Sequence, residues 1–309
     1  MSTVIDTGEE RAQLQQRVID LKKKLGLLIV AHNYQRPEVQ DVADFVGDSL
    51  ELARRAKESD AKGIIFCGVH FMAENASLVN PSLPVYLAES TAGCPMADMI
   101  DVFDLREWKE KYPRAAVVCY VNSTAAVKAE SDICCTSANA LQVVESLPHD
   151  EILFIPDQNL GHYVSTMTSK RMINYPGFCI THQRLQPEQV RRAREMYPGV
   201  PVVVHPECAP EVVAQADVVC STSQMVRYAG ENPARTFLIG TEEGLLHRLR
   251  LENPGKTFYL ISNGLICPNM KRTRLEAVVS TMEEARNLIT ISDEVRQGAR
   301  QALDRMLAL

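Results

Sequence analysis

The sequence predicts an α/β fold of three homologous α/β/α sandwich domains, each around a small parallel sheet and grouped about a pseudo-threefold axis. Three observations predict it. The first is a period. Cysteines 94, 179 and 267 are 85 and 88 residues apart, and the polar clusters His32-Asn33-Tyr34, Tyr120-Val121-Asn122 and His205-Pro206-Glu207 are 88 and 85 apart. Ser49, Ser137 and Ser223, each at the start of a predicted helix, are 88 and 86 apart. A fixed period of this kind marks one supersecondary unit used repeatedly. The second is the texture of the strands: short runs of Val, Ile, Leu and Phe without polar alternation, separated by helices, which indicates parallel sheets buried on both faces. The third is punctuation, because Tyr112-Pro113 and Tyr197-Pro198 both end the first helix of their unit.

The elements then follow in order. The first unit, residues 1–97, opens with a helix over Arg11 to Lys24 and a buried strand Leu27 to Ala31. A short helix near Glu38, a brief strand around Asp44 to Val46 and a helix from Ser49 to Glu58 come next. Strand Gly63 to Cys67, helix His70 to Leu78 and strand Pro84 to Ala88 lead into Cys94. The second unit, 98–183, repeats this with strands Ala115 to Tyr120, Asp132 to Cys134, Glu151 to Ile155 and Arg171 to Ile173 before Cys179, and with a helix from Ser137 to Ser146. The third, 184–270, has strands Val202 to His205, Asp217 to Cys220, Thr236 to Ile239 and Thr257 to Ile261 before Cys267. In the tail, 271–309, Thr281 and Glu284 form a capping-box pattern. Val295, Ala299, Ala302, Leu303, Met306 and Leu307 share one helical face, and the tail is expected to pack back on the first unit.

Composition narrows the function classes. With 309 residues, 46% hydrophobic and 23% charged, the chain is globular and long enough for several small cores. A net charge of −6 gives no electrostatic footprint for nucleic acid or an anionic membrane. No apolar run reaches membrane-spanning length. Lys22-Lys23-Lys24 precedes only a short apolar stretch that ends in His32-Asn33, so it reads as a helix end followed by a strand rather than a secretory signal. Nine cysteines without such a signal point to a reducing cytoplasm, with thiols serving as core residues or metal ligands.

In open parallel sheets ligands bind beyond the carboxyl ends of the strands. Those ends carry His32 and Tyr34, Tyr120 and Asn122, and His205 and Glu207. The following helices present Ser49, Ser137 and Ser221-Thr222-Ser223 at their N-termini, where free N–H groups favour anions. Each serine alone is an ordinary cap; recurrence at equivalent places points to a shared cavity for a small polyanion. Cys67, Cys119, Cys134, Cys135, Cys208 and Cys220 lie at or beside strands and read as small buried hydrophobes. Cys94, Cys179 and Cys267 instead follow loops rich in glycine and proline. Three thiolates without a fourth leave one iron of a [4Fe–4S] cluster open as a Lewis acid, with zinc as the chemical competitor. The chain contains no P-loop, G-x-G-x-x-G or H-E-x-x-H. A zinc-dependent lyase or hydrolase and a non-enzymatic iron–sulfur carrier are the alternative classes.

Specific segments sharpen this. His32-Asn33-Tyr34-Gln35, Gly47-Asp48-Ser49, Ala92-Gly93-Cys94-Pro95, Tyr120-Val121-Asn122-Ser123 and Cys135-Thr136-Ser137-Ala138-Asn139 resemble the quinolinate synthase family. So do His205-Pro206-Glu207-Cys208, Ser221-Thr222-Ser223-Gln224-Met225 and Cys267-Pro268-Asn269-Met270-Lys271. The resemblance implies condensation of iminoaspartate (iminosuccinate) with dihydroxyacetone phosphate to quinolinate, phosphate and water in NAD biosynthesis. It implies a [4Fe–4S] cluster on Cys94, Cys179 and Cys267, and a partner enzyme that supplies the imine. His32, Ser49, Tyr120, Val121, Asn122, Ser137, His205, Pro206, Glu207 and Thr222 would bind substrate. His32, Tyr34, Tyr120, His182, His205 and Glu207 would carry the proton transfers. Some members have C-x-x-C at the last cysteine; here Met270 occupies the second position, which argues against a redox switch there.

Overall fold

The computed structural model describes residues 8–48, 51–52 and 60–309. Ser49 and nearly all of the helix expected from it lie outside the described residues. The described strands form three four-stranded sheets, and every pairing is parallel. The first has β1 (Leu27–His32), β2 (Phe45–Gly47), β3 (Gly63–Cys67) and β4 (Val85–Leu87) in the order β2-β1-β3-β4. The second has β5 (Ala116–Tyr120), β6 (Ile133–Cys135), β7 (Glu151–Ile155) and β8 (Arg171–Asn174), ordered β6-β5-β7-β8. The third has β9 (Val202–Val204), β10 (Val218–Val219), β11 (Thr236–Gly240) and β12 (Thr257–Leu260), ordered β10-β9-β11-β12. Central strands such as β3 and β5 are buried at every residue, as unalternating apolar runs require.

The repeat extends to single hydrogen bonds. Each first strand is tied to its edge strand by an aspartate. Asp44, Asp132 and Asp217 accept the N–H of Ile29, Val117 and Val202 at 2.9, 2.8 and 2.7 Å. Each aspartate returns its own N–H to the carbonyl of that same residue. The side chain thus pairs backbone groups at the point where a two- or three-residue edge strand begins.

By contacts the chain divides into two compact units. One comprises residues up to Gly93 together with Pro268–Thr290; the other comprises Cys94–Cys267 with Ile291–Leu309. In the first, the N-terminal helix Gly8–Leu25 and the helix Leu275–Glu284 cover the sheet. Leu275, Val278, Val279 and Met282, one stripe at helical spacing, join Val18, Ile29 and Ile65 in a single core. Thr281 lies inside this helix and does not begin one. Its buried hydroxyl donates to Ala88 O at 3.0 Å, so the expected capping box is overturned.

The tail divides: the helix Leu275–Glu284 packs on the first repeat as expected, and the last helix does not. The last helix, Asp293–Leu307, belongs to the second unit and packs on Ala125–Ala129 and β6 instead of returning to the first repeat. The reason is close approach: a Cβ on Gly298 would sit 2.8 Å from Ala129 O. Ala299, Ala302, Leu303 and Met306 are the buried residues of this face. Among the described residues no helix is long and apolar enough to cross a membrane.

Candidate active site

The second unit brings its two sheets together at the carboxyl ends of β5 and β9, and Glu207 is the hub. Tyr120, the last residue of β5, donates its hydroxyl proton to Glu207 Oε1 at 2.6 Å. Asn122 Nδ2 donates to the same oxygen at 3.3 Å, and His182 Nδ1 lies 2.8 Å from Oε2. Asn159 Nδ2 donates to the Glu207 carbonyl at 3.0 Å. Glu207 is only 3% exposed. Burial alone would raise its carboxyl, yet the facing imidazoles of His205 and His182 and the Tyr120 hydroxyl hold it well below the ordinary carboxylate range.

Local backbone explains the ring positions. The Cys179 carbonyl accepts the Gln183 N–H at 3.0 Å, which opens a short 3₁₀ turn, His182–Arg184. That turn sets His182 Nδ1 3.2 Å from Cys179 Sγ and stacks its ring on His205 at 4.7 Å between centroids. His182 Nε2 meets Thr241 Oγ1 at 2.9 Å. Both ring nitrogens of His182 are therefore engaged by the protein. In contrast, His205 Nδ1 accepts the Glu207 N–H at 3.3 Å, and in the first unit His32 Nδ1 accepts the Tyr34 N–H at 3.1 Å. A backbone N–H can only donate, so the neutral form of each ring carries its proton on Nε2.

The cysteine loops are built alike. His70, Gln158 and Glu243 each donate a backbone N–H to the carbonyl of Ala92, Gly177 and Leu265, at 2.9, 2.8 and 2.9 Å. Each carbonyl lies two residues before its cysteine. Cys94, Cys179 and Cys267 are half-buried, whereas the other six cysteines are buried. Burial pushes the Cys94 thiol up to about 12, helped by the charges of Cys267 and Glu207. Cys179 is raised by burial, then by Glu207 and Cys94. Cys94 is thus near enough to feel both Cys179 and Cys267, in a setting where metal binding must displace protons.

Among the described residues, the group whose ligand atoms all lie within 4.8 Å of one another is Cys179, His182 and Glu207. Two nitrogen or oxygen ligands about 2.1 Å from a tetrahedral zinc lie roughly 3.4 Å apart. The 2.8 Å between His182 and Glu207 is instead a direct hydrogen bond. The three periodic cysteines do not form such a tight group, which suits a polynuclear cluster better than one ion.

The remaining predicted residues are placed as follows. Val121 is buried and gives its N–H to Cys135 O at 2.9 Å. Ser137 does not open a helix: it sits in a turn, and the helix Ala140–Ser146 starts after Asn139. Ser137 lines a cavity of about 180 Å³ with Tyr163, Pro206, Cys220, Ser221 and Gln224. Thr222 is the buried first residue of helix Thr222–Glu231, and Ser221, not Ser223, is its cap. His32 and Tyr34, ring against ring at 4.6 Å, belong to the first unit, where Lys271 Nζ donates to Tyr34 O at 2.7 Å. Asn159, Thr241, Asp157 and Glu242 were not anticipated. The one sequence signal for the last two is that they too are 85 residues apart.

Comparisons with known proteins place the chain in one family. The family profile described as quinolinate synthetase A protein matches residues 16–308. A quinolinate synthase of Dehalococcoides mccartyi is 52% identical over 294 residues, covering 95% of this chain and 97% of the relative. One of Methanoregula boonei is 50% identical over 301 residues, covering 97% of this chain and 100% of the relative. One of Geotalea uraniireducens is 53% identical over 282 residues, covering 91% and 93%.

Proposed function

We propose that this chain, which belongs to the quinolinate synthetase A family, is a quinolinate synthase of NAD biosynthesis. It condenses iminoaspartate with dihydroxyacetone phosphate to give quinolinate, phosphate and water. The observation that carries the reading is the convergence within one unit of three half-buried, period-related thiols and a buried ionised Glu207 held by groups from two repeats.

Cys94, Cys179 and Cys267 would hold a [4Fe–4S] cluster, and the donor set fits: Cys94 is within electrostatic reach of Cys179 and of Cys267, and the three are too widely spread for one ion. When bound, the cluster supplies a Lewis-acidic iron without a protein ligand. The chain's own residues do the rest. His205 presents Nε2–H as a donor to a substrate carboxylate or carbonyl, because its Nδ1 is occupied by backbone. His32 is fixed in the same tautomer by Tyr34 N–H. Glu207 accepts protons, while Tyr120, Asn122 and His182 orient it and keep it ionised. With both nitrogens engaged, His182 acts through Glu207 and not on substrate directly. Val121, Pro206, Ser137 and Thr222 complete this side of the dicarboxylate pocket; the family resemblance alone gives Ser49 a part in substrate binding and Tyr34 a part in proton transfer. The protein works in the cytoplasm on small molecules, beside an enzyme that supplies the imine.

Anaerobic purification followed by iron, sulfide and zinc analysis, with a quinolinate assay on the two substrates, tests this. Equal iron and sulfide together with quinolinate formation is the expected result. Zinc without sulfide would mean a zinc-dependent lyase or hydrolase. A cluster that yields no quinolinate and passes to an acceptor protein would mean a carrier.

A further inference from the structure

The turn after the third strand carries a carboxylate beside the cysteine loop in two of the three repeats. The equivalent residues are Val69, Asp157 and Glu242, spaced 88 and 85. Glu242 is fully buried. Its Oε1 accepts the Cys267 N–H at 3.0 Å and its Oε2 accepts the Gly244 N–H at 2.7 Å. The preceding residue, Thr241, is also fully buried and is the partner of His182 Nε2 at 2.9 Å. Two consecutive residues at the end of β11 thus hold a ligand of one repeat and the Glu207 partner of another. In the second repeat Asp157, also fully buried, accepts the Leu160 N–H at 2.8 Å and lies beside the N–H of Cys179.

We infer that Glu242 is a positioning residue for the cluster, fixing the Cys267 N–H through Oε1 while Oε2 is anchored on the Gly244 N–H, and placing a buried negative charge next to a cluster ligand. Neither end of the carboxylate is replaceable. A buried anion shared by two backbone donors holds both in one geometry, since releasing either leaves an unpaired buried group. A hydrogen bond to the N–H of a ligating cysteine removes that donor from the sulfur's surroundings, and fixed charge is one of the protein's levers on cluster potential. Asp157 holds the equivalent place behind Cys179. The first repeat has Val69 there and no carboxylate; its cysteine loop is held by the backbone clasp from His70 and by Asn269 Nδ2, which donates to Gly93 O at 2.8 Å.

This inference rests on the cluster reading, and the experiment separates the two. In cluster-free protein, hydrogen exchange of the Cys267 amide should be at least tenfold faster in Glu242→Gln than in wild type. The amide has one oxygen for two donors and sets its NH₂ against one of them. In reconstituted protein, Glu242→Gln should lose iron to a chelator several-fold faster, and its reduction potential should move to more positive values. Glu242→Asp keeps the charge but is one methylene too short, so it should restore the potential and not the Cys267 protection. Glu243→Gln, which removes a half-exposed charge next door, should match wild type in all three measurements. If Glu242→Gln yields no folded protein, the Cys267 exchange rate in Glu242→Asp decides. Wild-type rates of exchange and iron loss in these variants would overturn the inference. A wild type without iron and sulfide would overturn the cluster reading alone, leaving the exchange test of Glu242 intact.

Discussion

The ends of β5 and β9 occupy the same place in two repeats and carry opposite chemistry. The second repeat offers Tyr120 and Asn122, two neutral donors; the third offers His205 and Glu207, a ring and an anion. Their backbones are tied down by matching aspartate bridges and matching clasps on the cysteine loops. The difference teaches that the repeat preserves positions while the side chains divide the work. A carboxylate in both places would set like charges together and force one to take up a proton. Donor facing acceptor keeps Glu207 ionised instead.

The largest break in that comparison is removal of a shared element. Cys94→Ser, Cys179→Ser and Cys267→Ser should each abolish the iron–sulfur chromophore and quinolinate formation. Cys67→Ser and Cys134→Ser, buried in strands, should keep both and cost only stability. Absorbance with iron and sulfide analysis distinguishes the sets; a full cluster in any of the first three removes that residue as a ligand.

Next in size is Glu207→Gln, which makes the third repeat as neutral as the second. Losing a positioned base costs about 10²–10⁴-fold in rate, so kcat should fall within that range with the cluster retained. Stability should change with pH in a defined direction. The folded carboxyl lies below its ordinary value of 4.5. Its contribution is therefore fully present above pH 4.5 and is lost as pH falls from there through the lower folded value. Thermal melts of wild type should drop over that acid window, and those of Glu207→Gln should drop less.

Much of this arrangement is legible in the sequence. Unalternating apolar runs between helices can only be two-sided parallel strands, so the three sheets were legible, and the period singled out three cysteines from nine. What escaped lies in contacts between distant segments. Thr241 and Glu242 follow a strand with no motif of their own, and their roles come from His182 and Cys267, 59 and 25 residues away. Thr281 fits a capping pattern, but that pattern is local and also occurs inside a helix whose hydroxyl has a partner elsewhere. The last helix shows an apolar face in sequence, which says that it is covered and not by what. Only Gly298, too small to keep Ala129 away, hinted at the neighbour.

Smaller effects resolve the two donors. Tyr120→Phe removes a hydrogen bond to an ionised group, worth about 1.5–3 kcal/mol, so kcat/KM should fall roughly 10- to 100-fold. Asn122→Ala removes a longer contact, 3.3 Å against 2.6 Å, and should cost less. Equal losses would mean that Asn122 serves substrate rather than Glu207. Ser137→Ala and Thr222→Ala should weaken product binding by a similar 10- to 100-fold with the cluster intact, measured by titration with quinolinate.

The smallest effect concerns the scaffold that makes the two repeats comparable. Asp132→Ala and Asp217→Ala each remove one acceptor from a strand N–H, at 2.8 and 2.7 Å. Such a bond contributes about 0.5–1.5 kcal/mol. Asp217 also pairs with Arg194 at 2.9 Å, but both side chains are over a third exposed, so that pair adds little. The two variants should therefore lose stability equally, to within about 0.5 kcal/mol, by denaturant titration, and keep wild-type kcat and cluster content. A much larger loss for Asp217→Ala would show that the Arg194 pair is worth more than its exposure implies. A loss of activity in either would mean that the edge strands, and not only the strand ends, hold Tyr120 and Glu207 in register.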